Sequence, residues 1–111
     1  MKPTNPELLT PPRPNNKNKV RKLKDINGNP VQFKVLDEIV VPHGKGKLIY
    51  FQQLRHEPAM ELEYRLCYYM IGVKESRKGR WVFGQFALMA PAKLLVKIYA
   101  EAKKRAWEGF E

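Results

Sequence analysis

ELEYRLCYYMIGV, Glu61–Val73, alternates with a period of two. Leu62, Tyr64, Leu66, Tyr68 and Met70 fall on one side of an extended chain, and Glu63, Arg65, Cys67, Tyr69 and Ile71 fall on the other. Successive side chains of a strand point to opposite faces, so this stretch predicts a strand with one greasy face and one mixed face. A greasy face has to be covered, so the rest of the chain must supply both neighbouring strands and a covering layer.

Downstream lies GVKESRKGR (72–80), a polar loop in which Lys74, Arg77, Lys78 and Arg80 are crowded. A further strand is expected over Arg80–Met89, where Trp81 and Phe83 are two residues apart and share a face. After Pro91 the period changes. Leu94, Leu95, Ile98, Ala102 and Ala106 recur at spacings of three and four, the stripe of an amphipathic helix. Pro91 suits its first turn, the cations Lys103, Lys104 and Arg105 suit its C-terminal end, and Gly109 suits its stop.

Upstream, Gln32–Val41 (QFKVLDEIVV) and Lys47–Arg55 (KLIYFQQLR) read as two more strands, separated by the turn HGKG (43–46) and followed by HEPA (56–59). Asn27-Gly28-Asn29-Pro30 is another turn. Before it, residues 1–26 hold five of the nine prolines and few apolar residues, and predict a flexible basic tail. The expected fold is α+β: a four-stranded antiparallel sheet followed by one C-terminal amphipathic helix, after a disordered basic N-terminal tail. Residues 27–111 form the single β-β-β-β-α domain. With 111 residues, one domain is what the length allows.

The formal net charge is +10. Tail and domain contribute equally, with seven basic against two acidic residues before position 27 and fourteen against nine after it. Such a balance is the electrostatic footprint of a nucleic-acid partner or another polyanion. Apolar runs are too short to span a bilayer, so no membrane partner is expected. One cysteine, Cys67, cannot form an intramolecular disulfide, and with only His43 and His56 it cannot complete a four-ligand zinc site. The compartment expected is intracellular and reducing: cytoplasm, nucleoid or nucleus.

Little points to catalysis, and neither a cofactor nor a metal is expected. The single serine, Ser76, sits in the basic loop without a nucleophile elbow. Gly44-Lys45-Gly46-Lys47 lacks phosphate-loop spacing. Cys67, in mid-strand, reads as a packing residue. Asp37 and Glu63 would be the acids of a metal-dependent nuclease if they met across neighbouring strands.

Rings beside cations point elsewhere. Single-stranded nucleic acid presents base faces and phosphates, and stacking on an aromatic ring contributes about 1–3 kcal/mol per base. Arg65 and Tyr69 lie on the mixed face of one strand, and Trp81 and Phe83 share a face of the next. Phe51, Gln53 and Arg55 share a face of an earlier strand. These faces are expected to coincide, with Lys74, Arg77, Lys78 and Arg80 in the loop. Lys17, Lys19, Arg21, Lys22 and Lys24 of the tail would add phosphate contacts. The opposite face, with Leu66, Tyr68, Met70, Phe86 and Leu88, would meet the helix.

YRLCYYMIG (64–72), SRKGRWVFGQFALMAP (76–91) and the helix after them resemble the positive-cofactor-four and Whirly group of single-stranded DNA-binding proteins. That resemblance covers roughly residues 31–108. Leu88-Met89-Ala90-Pro91 is similar to the group's Leu-x-Pro-like approach to its helix. It implies a homodimer packed through the C-terminal helices and a curved sheet that lays single strands across its exposed face. Arg65, Tyr69, Arg77, Lys78, Arg80 and Trp81 are the positions it would assign to binding. Two features depart from the group: a strongly aromatic last strand, and the acidic stretch EPAMELE (57–63).

The expected function is therefore non-enzymatic binding of single-stranded DNA or RNA with little sequence readout. The alternatives are a protein–protein interaction module or small regulatory subunit, and a metal-dependent nuclease or nuclease subunit.

Overall fold

The computed structural model describes residues 13–73, 78–84 and 86–111. Its elements follow in order: β1 (Val20–Lys24), β2 (Pro30–Pro42), β3 (Lys47–Glu57), β4 (Glu61–Ile71), β5 (Trp81–Phe83) and α1 (Ala92–Lys104). All strands form one antiparallel sheet in sequential order, β1 to β5. The architecture is the expected α+β sheet and helix, with five strands in place of four. The extra one, β1, lies in the stretch expected to be a flexible tail. Val20–Lys24 pairs with Pro30–Lys34 across the turn at Asp25–Asn29, where the Asp25 carboxylate accepts hydrogen bonds from the backbone N–H groups of Asn27 and Asn29. The last strand is shorter than expected, ending at Phe83 rather than Met89.

Cross-strand register defines the two faces. On β4, Tyr64, Leu66 and Tyr68 point one way and Arg65, Cys67 and Tyr69 the other, as the period of two requires. β2 shifts register between Val35 and Asp37, a bulge at Leu36. Before it, Phe33 and Val35 share a face with Leu54; after it, Ile39 and Val41 face the other way, with Ile49 and Phe51. One inserted residue thus lets a single strand feed two cores.

The first core lies under α1. Ile39, Val41, Ile49 and Phe51 of the sheet meet Ile98, Ala102 and Trp107, with Tyr64, Leu66, Leu88, Leu94 and Phe110 at the margin. Burying each large apolar side chain contributes about 1.5–3 kcal/mol. Five rings gather here: Tyr64 stacks on Phe51 and on Trp107, with centroids 5.6 and 5.7 Å apart, Phe110 meets Tyr64 edge-on at 5.3 Å, and Tyr99 of α1 meets Phe51 edge-on at 5.7 Å. Phe86, expected to join this core, is 81% exposed. β5 ends before reaching it, so strand alternation no longer directs its side chain.

α1 starts from Pro91, whose carbonyl accepts the N–H groups of Leu94 and Leu95. It ends earlier than Gly109 because Ala106 turns left-handed, with φ of 54°. Trp107 N–H then donates to the Ala102 carbonyl, which swings the indole back onto the sheet. There the indole N–H donates to the Asp37 carboxylate at 3.1 Å, and Arg105 pairs with the same group at 3.2 Å. Arg105 also donates to Glu101, holding that carboxyl below its ordinary pKa.

The second face is the inside of a curl. A flat sheet would hold β1 and β5 four strand spacings apart, roughly 19 Å. Instead, Arg21 and Leu23 of β1 line one cavity of about 370 Å³ together with Phe83 of β5. Among the described residues, no helix is long and apolar enough to cross a membrane.

Candidate nucleic-acid interface

The inner face is built around Arg65. Register places Arg21 beside Phe33 across β1 and β2, and Tyr69 beside Phe83 across β4 and β5. The curl brings both pairs against Arg65. Its guanidinium carbon lies 4.8 Å from the Phe33 ring centroid and 5.4 Å from that of Phe83, within cation–π range of both. Arg21, Lys22, Leu23, Phe33, Arg65, Tyr69 and Phe83 line the cavity. A second cavity of about 360 Å³ shares Leu23, Phe33 and Arg65 and runs on toward Leu54 and His56. Together they make a trough past the guanidinium, each half within the size range of ligand pockets.

Gln52 holds the guanidinium in place. It is fully buried, and its Oε1 accepts Arg65 Nε at 2.9 Å and an Arg65 terminal nitrogen at 2.7 Å. Its Nε2 donates to the Glu38 carboxylate at 2.9 Å. Glu38 also accepts Asn16 backbone N–H, and Asn16 Oδ1 accepts the Tyr69 hydroxyl. Tyr50 donates its hydroxyl to the Pro14 carbonyl. Residues 14–16 are therefore strapped over the upper inner face. Burial, followed by the Glu38 charge, raises the Tyr50 pKa well above its ordinary value. Burial likewise pushes the Cys67 thiol up to about 11, against the pull of Arg65. At neutral pH it stays a protonated packing residue, as its mid-strand position implies.

Among the described residues, Arg65 has no carboxylate within ion-pair distance. The acid attached to it through Gln52 is Glu38, one side chain removed. A half-buried guanidinium between two rings thus has donor capacity beyond the bonds to Gln52.

Several expected site residues meet here. Arg65, Tyr69, Trp81 and Phe83 share the inner face, as the sequence implied. Trp81 packs against the Leu48, Tyr50, Cys67 and Tyr69 cluster while remaining half-buried, and Phe83 is 43% exposed. Tyr69 is buried and supports Phe83 edge-on at 5.4 Å instead of offering its own ring face. Arg21 joins from β1, on a strand edge rather than a tail. Lys17, Lys19, Lys22 and Lys24 are exposed along the same edge segment, with Lys17 3.8 Å from Asp37. Lys78 and Arg80 are exposed at the base of the β4–β5 loop. Lys74 and Arg77 lie outside the described residues.

Other expectations are corrected. Arg55 lies on the opposite face, with Phe51 and Gln53: it pairs with Lys34 and Leu62, and Phe51 belongs to the core under α1. Parity within a strand does not say which parity of the neighbour it matches; register decides that. Asp37 and Glu63 do not meet. β3 lies between their strands, Asp37 is on the helix face, and Glu63 is on the inner face 3.8 Å from His56. Glu61 and Glu63 do share the inner face with Arg65, and Glu63 lines the trough at its lower end.

Phe33 and Gln52 were not foreseen as site residues. Phe33 lies before the bulge, and an amide in mid-strand carries no signal of its own until the residues opposite it are known. Comparison with protein-family models, with curated proteins and with solved structures gives no match.

Proposed function

We propose that the protein binds single-stranded nucleic acid on the inner face of its curled sheet, without catalysis and with little sequence readout. One observation carries this reading: Arg65 is clamped between Phe33 and Phe83 at the centre of an open trough, without a carboxylate of its own among the described residues. Such a group binds a phosphate or the polar edge of a base, while the exposed ring of Phe83 offers a stacking surface, with the half-buried Trp81 beside it. Arg21 lines the trough, and the exposed Lys78 and Arg80 at the base of the β4–β5 loop add positive charge to the molecule, which draws the backbone in. Glu61 and Glu63 limit the path to the upper trough, where repulsion is least. A dimer through α1 belongs to the same proposal, because Val96, 67% exposed, leaves apolar surface on the outside of the helix.

A second reading, a protein-interaction module, is favoured by Phe86 and Met89, both largely exposed between β5 and α1.

Titration of a labelled deoxythymidine oligonucleotide at two salt concentrations tests the first reading. Affinity should fall with salt with a log–log slope of about 0.7 for each phosphate contact. Phe83→Ala, at an exposed ring, should weaken binding roughly tenfold, the loss expected for about 1.4 kcal/mol of stacking. Absence of binding at low salt, with the protein folded by circular dichroism, removes the proposal.

A further inference from the structure

The helix face is only half covered. α1 packs on the part of the sheet that carries Ile39, Val41, Ile49 and Phe51. Beyond the bulge, the same side carries Lys34 directly opposite Arg55, with Val20 and Leu62 completing the row. Lys22 and Lys24 of β1 alternate onto this side too, two and four residues from Val20. All four cations are exposed.

Like charges directly across a strand pair destabilise a sheet. Their Cβ atoms are about 5 Å apart at such positions. No acid relieves Lys34 or Arg55: among the described residues, neither is in an ion pair. Of the carboxylates carried by the strands, Asp37 and Glu57 fall on this side, and both have other partners. Asp37 is held by Arg105 and the Trp107 indole, with Lys17 at 3.8 Å, and Glu57 accepts from Gln32. A phosphodiester chain would relieve the repulsion by lying along the row.

We propose that Lys34 and Arg55, joined by Lys22 and Lys24, are a second phosphate-contacting row, so that one chain holds two nucleic-acid segments, one on each side of the sheet. The inference rests on the inner-face reading for the identity of the polyanion, though not for its location. The two sites differ in chemistry. The inner trough has rings and a clamped guanidinium. The outer row, across Val20, Lys22, Lys24, Lys34, Arg55 and Leu62, has no ring, so it contacts backbone alone and takes one strand or a duplex equally. β1 is the spine between them: alternation puts Arg21 on the inner side and Lys22 and Lys24 on the outer, and Lys22 also borders the inner cavity. A protein that holds two segments a sheet's thickness apart would bridge strands and speed their annealing.

The test counts oligonucleotides. A deoxythymidine oligomer of about six nucleotides, near the short end of single-strand site sizes, is too short to wrap the sheet edge. The full-length protein should bind two per chain, one quenching tryptophan fluorescence and one silent. Lys34→Glu places opposite charges across β2 and β3, so it should fold at least as stably as the parent, with an equal or higher Tm. It should nevertheless bind one oligomer, the quenching one, and lose strand-annealing activity. Phe83→Ala should leave the silent site intact. A stoichiometry of one that Lys34→Glu does not change overturns the second row. Loss of all binding in Lys34→Glu, with none lost in Phe83→Ala, upholds the row and overturns the inner-face reading. No binding to either variant or parent at low salt overturns both.

Discussion

The two sides of the sheet solve the same burial problem with opposite chemistry. Under α1, Phe51, Tyr64, Trp107 and Phe110 fill space with ring against ring, and the polar group Asp37 is consumed at the margin by Arg105 and the indole N–H. Inside the curl, the centre is a buried amide. Gln52 joins a carboxylate to a guanidinium, and rings are arranged around that charge. Packing of the first kind stabilises and asks for nothing more. A network of the second kind costs desolvation and returns little net stability, so its presence at the middle of a trough is better understood as positioning Arg65 than as holding the fold. Stability and recognition are thereby divided between faces, and that division can be broken by experiment.

The largest effect should come from Phe51→Ala. Phe51 is buried and touches the rings of Tyr64, Tyr99, Trp107 and Phe110. Truncating a core phenylalanine costs about 3–5 kcal/mol, a large share of the 5–15 kcal/mol typical of a whole domain. Urea denaturation measures it. Oligonucleotide affinity, measured well below the midpoint, should stay within about twofold of the parent, a change of under 1 kcal/mol. A matching loss of affinity would show that the helix face shapes the trough after all.

Gln52→Ala should do the reverse. The stability cost should be smaller, about 1–3 kcal/mol for leaving Glu38 and Arg65 without their shared partner. The affinity cost should be larger, because the guanidinium is no longer tethered between Phe33 and Phe83. Gln52→Glu sharpens the point. It supplies Arg65 with the carboxylate it lacks and sets a second negative charge against Glu38, so oligonucleotide affinity should fall further than in Gln52→Ala. An affinity unchanged in both variants would sink the positioning role.

How the faces were legible differs from strand to strand. β4 announced both sides, because one is apolar and the other mixed, and its alternation placed Arg65 correctly. Trp81 and Phe83 followed, since two residues two apart share a side wherever the strand goes. β3 did not announce its sides. Leu48, Ile49, Tyr50 and Phe51 are all buried, some under α1 and some inside the curl, so the run shows no alternation and Arg55 was assigned to the wrong side. β2 conceals its sides in another way, because the bulge at Leu36 breaks the parity between Phe33 and Ile39. β1 is exposed at every residue. An edge strand with cations on both sides carries no apolar signal and reads as a tail, although the same charges protect its open edge from pairing with another sheet. Trp107 escaped because the turn that seats it depends on Ala106, a residue with no sequence preference for a left-handed backbone.

That turn gives the smallest test. Ala106 at a φ of 54° carries strain of about 1–2 kcal/mol that glycine would not. Glycine also has more freedom to lose on folding, which costs roughly 0.5–1 kcal/mol. The difference predicts that Ala106→Gly raises stability by about 0.5–1 kcal/mol, visible as a rise of a few degrees in Tm. Ala106 is exposed and makes no ring contact, so the gain would come from the backbone alone, by easing the swing that seats Trp107 on Phe51 and Asp37. It should strengthen the helix face and leave oligonucleotide affinity and stoichiometry as they were. If Ala106→Gly instead weakens binding, motion of the Trp107 segment reaches the trough through the Asp37–Glu38 backbone, and the two faces do not act independently.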